Sequence, residues 1–303
     1  MTLHFYKYEG AGNDFIIIDN RNLNIALDKE KIQSLCLRHF GVGSDGLMLL
    51  ESVSKHCPSI YTQSPNTANQ KSENSYSQTI LNAKKTDTLV HNFENLDFAM
   101  RFFNPDGSSG MMCGNGGRCI VRFAKDIGAI QGKETTFLAP DGIHSAEILA
   151  NEDISLKMKD VDSWETYPDG YWIDTGTSHF VVKSKDVKQE DILLRGRELR
   201  HDKRFLQHNG TNVNFYTEIK QNNLLIRTYE RGVEDETLAC GTGITATALC
   251  YAIDKDFKDG IYTIDVSTLH NKLRVKFFKQ NNLFKNIYLI GPATRVFEGE
   301  IKI

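Results

Sequence analysis

The chain has 303 residues, 40% hydrophobic and 25% charged, enough to bury the core of two ordinary domains or of one domain with a large insertion. A formal net charge of -3 and a pI near 6.3 supply no basic excess for nucleic acid or an anionic membrane surface. The opening "MTLHFYKYEG" has no apolar core behind a basic start, and no run has bilayer-spanning length, so the expectation is a cytoplasmic protein acting on small molecules or protein partners.

In chain order, "LHFYKYEG" and "DFIIIDN" flank "AGN" and predict two strands around a tight turn. Asp28 reads as the N-cap of a helix carrying Ile32, Leu35 and Cys36 at helical spacing. "GLMLLES" and "LDFAMRFFN" predict strands. Between them, residues 52–91 turn to Ser, Asn, Gln, Thr and Lys, a composition too poor in apolar surface to offset the entropy of ordering it, which predicts a mobile surface insertion. His56 and Cys57 fall inside it and are set aside as chemistry. After Cys113 a helix is expected with Ile120, Phe123, Ala124 and Ile127 on one stripe and Gly128 as its stop. After Cys240 a second carries Ile244, Ala248, Leu249 and Ala252. "ETTFLA", "YWIDTG", "HFVVKS", "NVNFY", "NLLIRTYE", "YTIDVS", "LRVKFF" and "IYLIGP" read as strands, and "KQEDILLRGRELRH" as a polar helix. Strands followed by a helix opening at a cysteine, twice over, imply two halves of similar layout with a boundary near Lys157.

Six cysteines in a chain of this length form no disulfide framework; none makes C-x-x-C and no H-E-x-x-H occurs, so reduced thiols and no metal site are expected. Cys113 and Cys240 each precede Gly-x-Gly at a helix start. Such a start offers unpaired N–H groups and a positive dipole end, and glycines admit close approach, so an anion belongs there and a thiol there should have a lowered pKa. A single such cysteine is commonly packing, and that reading stands for Cys119 and Cys250. Two such motifs facing one carbon fit another chemistry: one thiolate removes the Cα proton, the opposite thiol returns one, and the centre inverts. No pyridoxal site is evident, so amide donors and helix dipoles at the carboxylate are the expected source of carbanion stabilisation.

At these residues a resemblance becomes specific. "MCGNGGRC" and "YERGVEDETLACGTG" resemble the two catalytic signatures of the diaminopimelate epimerase family; "YEGAGNDFIIID", "FFNPDGSSG", "GTNVNF" and "GPATRVFEGEIKI" resemble further family segments in the same order. The resemblance covers nearly the whole chain outside the insertion. It implies an α/β (α+β) fold of two pseudo-symmetric halves, each a strand-rich barrel-like layer around a central helix, with the last strand returning to the first half and the active site in the cleft between them. The halves would be 1–157 with 290–303, and 158–289.

The resemblance further implies a homodimer, no cofactor, and an activity interconverting LL- and meso-diaminopimelate. Cys113 and Cys240 would be the acid/base pair, with Gly114, Asn115, Gly241 and Thr242 at the α-carboxylate. Asn13, Asn104, Asn212, Glu230 and Arg231 would hold the rest of the substrate, and His179 and Glu230 would tune thiol acidity. An Arg with amide side chains suits a distal carboxylate and ammonium. Three positions depart from the family pattern: Gly176-Thr177-Ser178-His179 replaces Gly-Asn-Pro-His, Gly46 stands where many members have Gln, and Phe297 where many have an interface Tyr. Alternatives are a proline- or histidine-type racemase or epimerase, a phenazine-type isomerase, or a redox sensor pairing Cys113 with Cys240.

Overall fold

A computed structural model describes residues 2–56, 95–110 and 112–303. Cys57 and most of the polar stretch 52–91 lie outside the described residues; of that stretch, Val53–His56 form a helical turn, α2. The described helices are α1 (Lys29–Cys36), α2, α3 (Gly114–Asp126), α4 (Ile192–Arg200) and α5 (Gly241–Asp254). The strands are β1 (Thr2–Gly10), β2 (Asn13–Asp19), β3 (Gly46–Glu51), β4 (Phe98–Phe103), β5 (Glu134–Ala139), β6 (Gly142–Ile148), β7 (Ile154–Lys157), β8 (Trp164–Tyr167), β9 (Gly170–Asp174), β10 (Ser178–Lys183), β11 (Asn212–Lys220), β12 (Asn223–Glu230), β13 (Asp235–Thr237), β14 (Gly260–Ser267), β15 (Lys272–Gln280), β16 (Leu283–Gly291) and β17 (Thr294–Lys302).

The repeat of layout expected from the sequence is a repeat of strand polarity. Along β17-β1-β2-β3-β4-β5-β6-β7 the pairings run antiparallel, antiparallel, parallel, antiparallel, parallel, antiparallel, antiparallel. Along β8-β9-β10-β11-β12-β14-β15-β16 the same series recurs. The parallel steps are where helices cross over: α1 joins β2 to β3 and α3 joins β4 to β5, as α4 joins β10 to β11 and α5 lies between β12 and β14. β7 pairs with β16, fusing the two layers, and the last strand, β17, returns to pair with β1.

Helix α3 packs against β1, β2, β3, β6, β7 and β17, and α5 against β9 to β12 and β14 to β16. The single apolar stripe expected for each helix therefore understates its burial. In α3 every residue from Gly114 to Ala124 except Arg122 is buried, and in α5 Gly241 and Gly243 to Ala252 are buried. An enclosed helix cannot keep a polar face, so the Thr245 and Thr247 hydroxyls bond back to Gly241 O and Gly243 O. One hydrophobic core runs through both, joining Ile120 and Phe123 to Ile244 and Leu249.

The first turn forms as its residues predict: Ala11 and Gly12 both have positive φ, the geometry of a two-residue hairpin turn. Asp28 caps α1 by accepting from Lys31 N at 2.9 Å. The polar helix is shorter than expected, because Asp191 accepts from Leu194 N and starts α4 there. Among the described residues no helix is long and apolar enough to cross a membrane.

Candidate active site

Cys113 and Cys240 are the N-caps of α3 and α5. The two helix mouths meet through glycine. A Cβ added to Gly241 would lie 3.2 Å from Gly114 Cα and 3.0 Å from Leu289 Cδ2, and one added to Gly114 would lie 2.8 Å from Leu289 Cδ2. Only bare backbone fits, and this close approach brings two positive helix ends and two thiols to one place.

The thiols are held differently. Cys113 Sγ accepts from the Gly116 amide at 3.1 Å. Cys240 makes no such cap bond; its sulfur lies 3.4 Å from Thr242 Oγ1, and the residue lines a cavity of about 270 Å³ with Thr237 and Leu238. Lowered thiol pKa values were expected at helix mouths, and the structure corrects this. Burial, the largest influence, and then the Glu230 carboxylate push Cys240 up to about 12, against the Thr242 hydroxyl and the Gly243 amide. Burial also raises Cys113, opposed by the Gly116 amide and, more weakly, by Arg118, with Glu230 again raising it. Desolvation of a buried thiolate outweighs the helix dipoles.

Asn115 ties the mouths together. Buried in α3, it donates through Nδ2 to Asn13 Oδ1 at 2.6 Å and to Ala239 O, beside Cys240, at 3.1 Å. Asn13 in turn donates to Asp45 Oδ2 at 3.0 Å. In the second half, His179 is fully buried, and burial followed by the charge of Arg231 pushes its pKa down to about 3, so the imidazole is neutral. Its Nε2 lies 2.9 Å from both Thr177 Oγ1 and Thr242 Oγ1. Asn212 donates to Ser178 O at 3.0 Å and accepts from the Arg231 amide at 2.9 Å. The Arg231 guanidinium is held through Nη1 by the carbonyls of His208 and Gly210. Glu230 accepts from the Thr237 hydroxyl at 2.8 Å, and burial raises its carboxyl.

Contacts thus link Cys113, Gly114, Asn115 and Asn13 to Gly241, Cys240, Thr242 and His179, and continue through Thr177 to Asn212 and Arg231. Asn104 stands apart in bonding. Its side chain donates to Ser108 Oγ at 3.0 Å and its carbonyl accepts from Gly107 N, holding the turn that leads to Cys113. Among the described residues, no group of three or more His, Cys, Asp or Glu is placed to hold a metal ion.

A model of the family described as diaminopimelate epimerase matches residues 84–163 and 171–296. The chain belongs to the diaminopimelate epimerase family. The diaminopimelate epimerase of Flavobacterium psychrophilum is 39% identical over 304 aligned positions covering 99% of this chain and 100% of that protein. That of Aquifex aeolicus is 33% identical, covering 99% and 98%. Among solved structures, a Bacillus anthracis phenazine biosynthesis protein of the PhzF family covers 100% of both chains with a TM-score of 0.68 at 15% identity. A hydroxyproline epimerase from Agrobacterium vitis covers 99% of this chain and 92% of that one with a TM-score of 0.61 at 12% identity. At such identities the likeness is one of fold.

Two departures from the diaminopimelate epimerase pattern have physical consequences. A Cβ on Gly46 would meet Phe102 Cζ at 2.9 Å and Phe103 O at 3.1 Å, so the ring of Phe102 fills the space a longer side chain would need. Thr177 takes the place of the family Asn with a hydroxyl that joins His179 to Thr242 at 3.1 Å. Two buried residues escaped the sequence reading. Arg118, fully buried, bonds Gly114 O at 3.1 Å and Asn115 Oδ1 at 3.0 Å, and has no ion-pair partner among the described residues. Asn214, fully buried on β11, touches His179. The signal for Arg118 was a cation one turn beyond Gly114, inside the glycine-rich start of the helix; Asn214 had none beyond a polar residue within "NVNFY".

Proposed function

We propose that this chain interconverts LL-2,6-diaminopimelate and meso-diaminopimelate without a cofactor, Cys113 and Cys240 acting as a proton-transferring pair on opposite faces of one Cα. The observation that carries this reading is the glycine-to-glycine contact of two cysteine-capped helix mouths. The α-carboxylate sits at the first-turn N–H groups around Gly114, Asn115, Gly241 and Thr242. Asn115 contributes its backbone amide, since both hydrogens of its side chain are already taken. Arg231, anchored along Nη1, offers its remaining N–H groups to the distal carboxylate, and Asn13, Asn104, Asn212 and Glu230 complete the pocket.

One thiolate takes the α-proton, the electron pair spreads toward the carboxylate held by amides, and the opposite thiol delivers its proton to the other face. The thiolate and thiol have then exchanged places, and the reverse reaction uses them in the opposite order. Both thiols are raised in the free site, so the thiolate is favoured when the substrate's ammonium arrives beside it and offsets the desolvation.

The two halves are read as 1–157 with 290–303, and 158–289, supported by the recurring strand polarity. A homodimer is supported by Val296 and Phe297, 55% and 47% exposed on β17. A reducing, cytoplasmic location fits a reaction that needs two free thiols.

Exchange of the α-proton of LL-diaminopimelate in deuterium oxide, under reducing conditions, tests the reaction. The wild type should incorporate deuterium with inversion, and Cys113→Ala and Cys240→Ala should each lose at least about 100-fold. A folded, reduced wild type that exchanges nothing rejects the substrate.

A further inference from the structure

We propose that Asn214 is a positioning residue: held by Thr228, it fixes His179 as the Nε2–H tautomer and so turns the Thr242 hydroxyl proton toward the Cys240 sulfur. The inference rests on the reading of Cys240 as one of the two proton-transferring groups.

The chain of donors runs in one direction. Asn214 and Thr228 are register partners on β11 and β12, and the Thr228 hydroxyl donates to Asn214 Oδ1 at 3.0 Å. Room for the amide exists because residue 243 is glycine; a Cβ there would lie 2.3 Å from Asn214 Oδ1. With its oxygen taken by Thr228, Asn214 turns Nδ2 to His179 Nδ1 at 2.9 Å. An amide nitrogen only donates, so Nδ1 accepts. The buried imidazole is neutral and carries one N–H, which is therefore on Nε2.

From Nε2 the proton faces Thr177 Oγ1 and Thr242 Oγ1, each at 2.9 Å. Thr177 also receives Asn212 Nδ2 at 3.5 Å, which leaves its own proton free to be given to Thr242 Oγ1, 3.1 Å away. Thr242 Oγ1 is thus supplied with donors, and its proton is left for Cys240 Sγ at 3.4 Å. In the opposite tautomer Nε2 would be an acceptor and would compete with the sulfur for a threonine proton. No relay of this kind reaches Cys113, whose sulfur is served by a backbone amide.

Nitrogen-15 spectra of the imidazoles in the reduced full chain, with His179 assigned by its loss in His179→Gln, should show the proton on Nε2. A proton on Nδ1 overturns the proposal without any variant of Asn214. Asn214→Asp replaces the donor by an acceptor and should move the proton to Nδ1. Iodoacetamide labelling of each cysteine between about pH 7 and 10, read by mass spectrometry, should then slow about tenfold at Cys240 and change less than about twofold at Cys113. The new carboxylate could act by charge alone, so the same substitution is made in Thr242→Val. There it should slow Cys240 no further. An undiminished effect in that background, or an unchanged Cys240 in Asn214→Asp alone, rejects the relay. Neither readout involves diaminopimelate, so failure of the substrate assignment is distinguishable from failure of this one.

Discussion

The two helix mouths share a backbone plan and differ in what reaches the sulfur. At Cys113 the stabilising groups are covalently fixed: the Gly116 amide of the same turn and, behind it, the Arg118 guanidinium one helical turn on. At Cys240 the cap bond is missing, and a hydroxyl linked to a neutral histidine acts ahead of the Gly243 amide. Pseudo-symmetry of strands and helices therefore does not make the thiols equivalent. A two-sided proton transfer needs opposed groups, and it tolerates different means of stabilising each.

The largest effect on this pair should come from forcing the mouths apart. Gly241→Ala places a Cβ 3.2 Å from Gly114 Cα and 3.0 Å from Leu289, and displacement of either thiol by about 1 Å should cost about 100-fold in kcat. Circular dichroism checks that the fold survives; unchanged turnover would mean that the glycine contact does not set the thiol geometry.

Separate substitutions should then act on one mouth or on both. Arg118→Met removes a positive charge that favours the Cys113 thiolate and does not act comparably on Cys240. Alkylation near pH 8 should slow severalfold at Cys113 alone, because its thiolate loses a nearby positive charge. Glu230→Gln should do the reverse at both, since the carboxylate raises both thiols; each should alkylate severalfold faster in the free enzyme while turnover falls. Equal responses of the two cysteines to Arg118→Met would erase the proposed difference.

A further effect, the same for both mouths, is on stability. His179 has a folded pKa of about 3 against 6.5 for the free group, so the unfolded chain binds a proton that the folded chain refuses. Its contribution is intact above about pH 6.5 and is lost as the pH falls toward 3, by up to about 1.4 kcal/mol per pH unit. Denaturant titrations at about pH 7 and pH 5 should show a smaller acid loss in His179→Gln than in the wild type.

Much of the site was legible because its devices are local. A cysteine before Gly-x-Gly, an N-cap at Asp28 and an Ala-Gly turn each act within a few residues, and the order of the family-like segments tied them together. Arg118 and Asn214 were not legible. A cation in the first turns of a helix and an amide in an apolar strand reveal nothing of their partners, which come from Gly114 and Asn115 in one case and from β10 and β12 in the other. The helix stripes misled for a related reason: periodicity registers one buried face, and strands that wrap a helix bury the others.

The sequence by itself determined where the two central helices begin, that each of the two begins at a thiol, and that the layout occurs twice, because caps, turns and glycines are short-range chemistry. Tertiary structure alone decided that Gly114 lies against Gly241, that both thiols are raised, and that Asn214 Nδ2 meets His179 Nδ1. Those depend on desolvation and on hydrogen-bond partners far apart in the chain, and neither exists until the two halves have closed on each other.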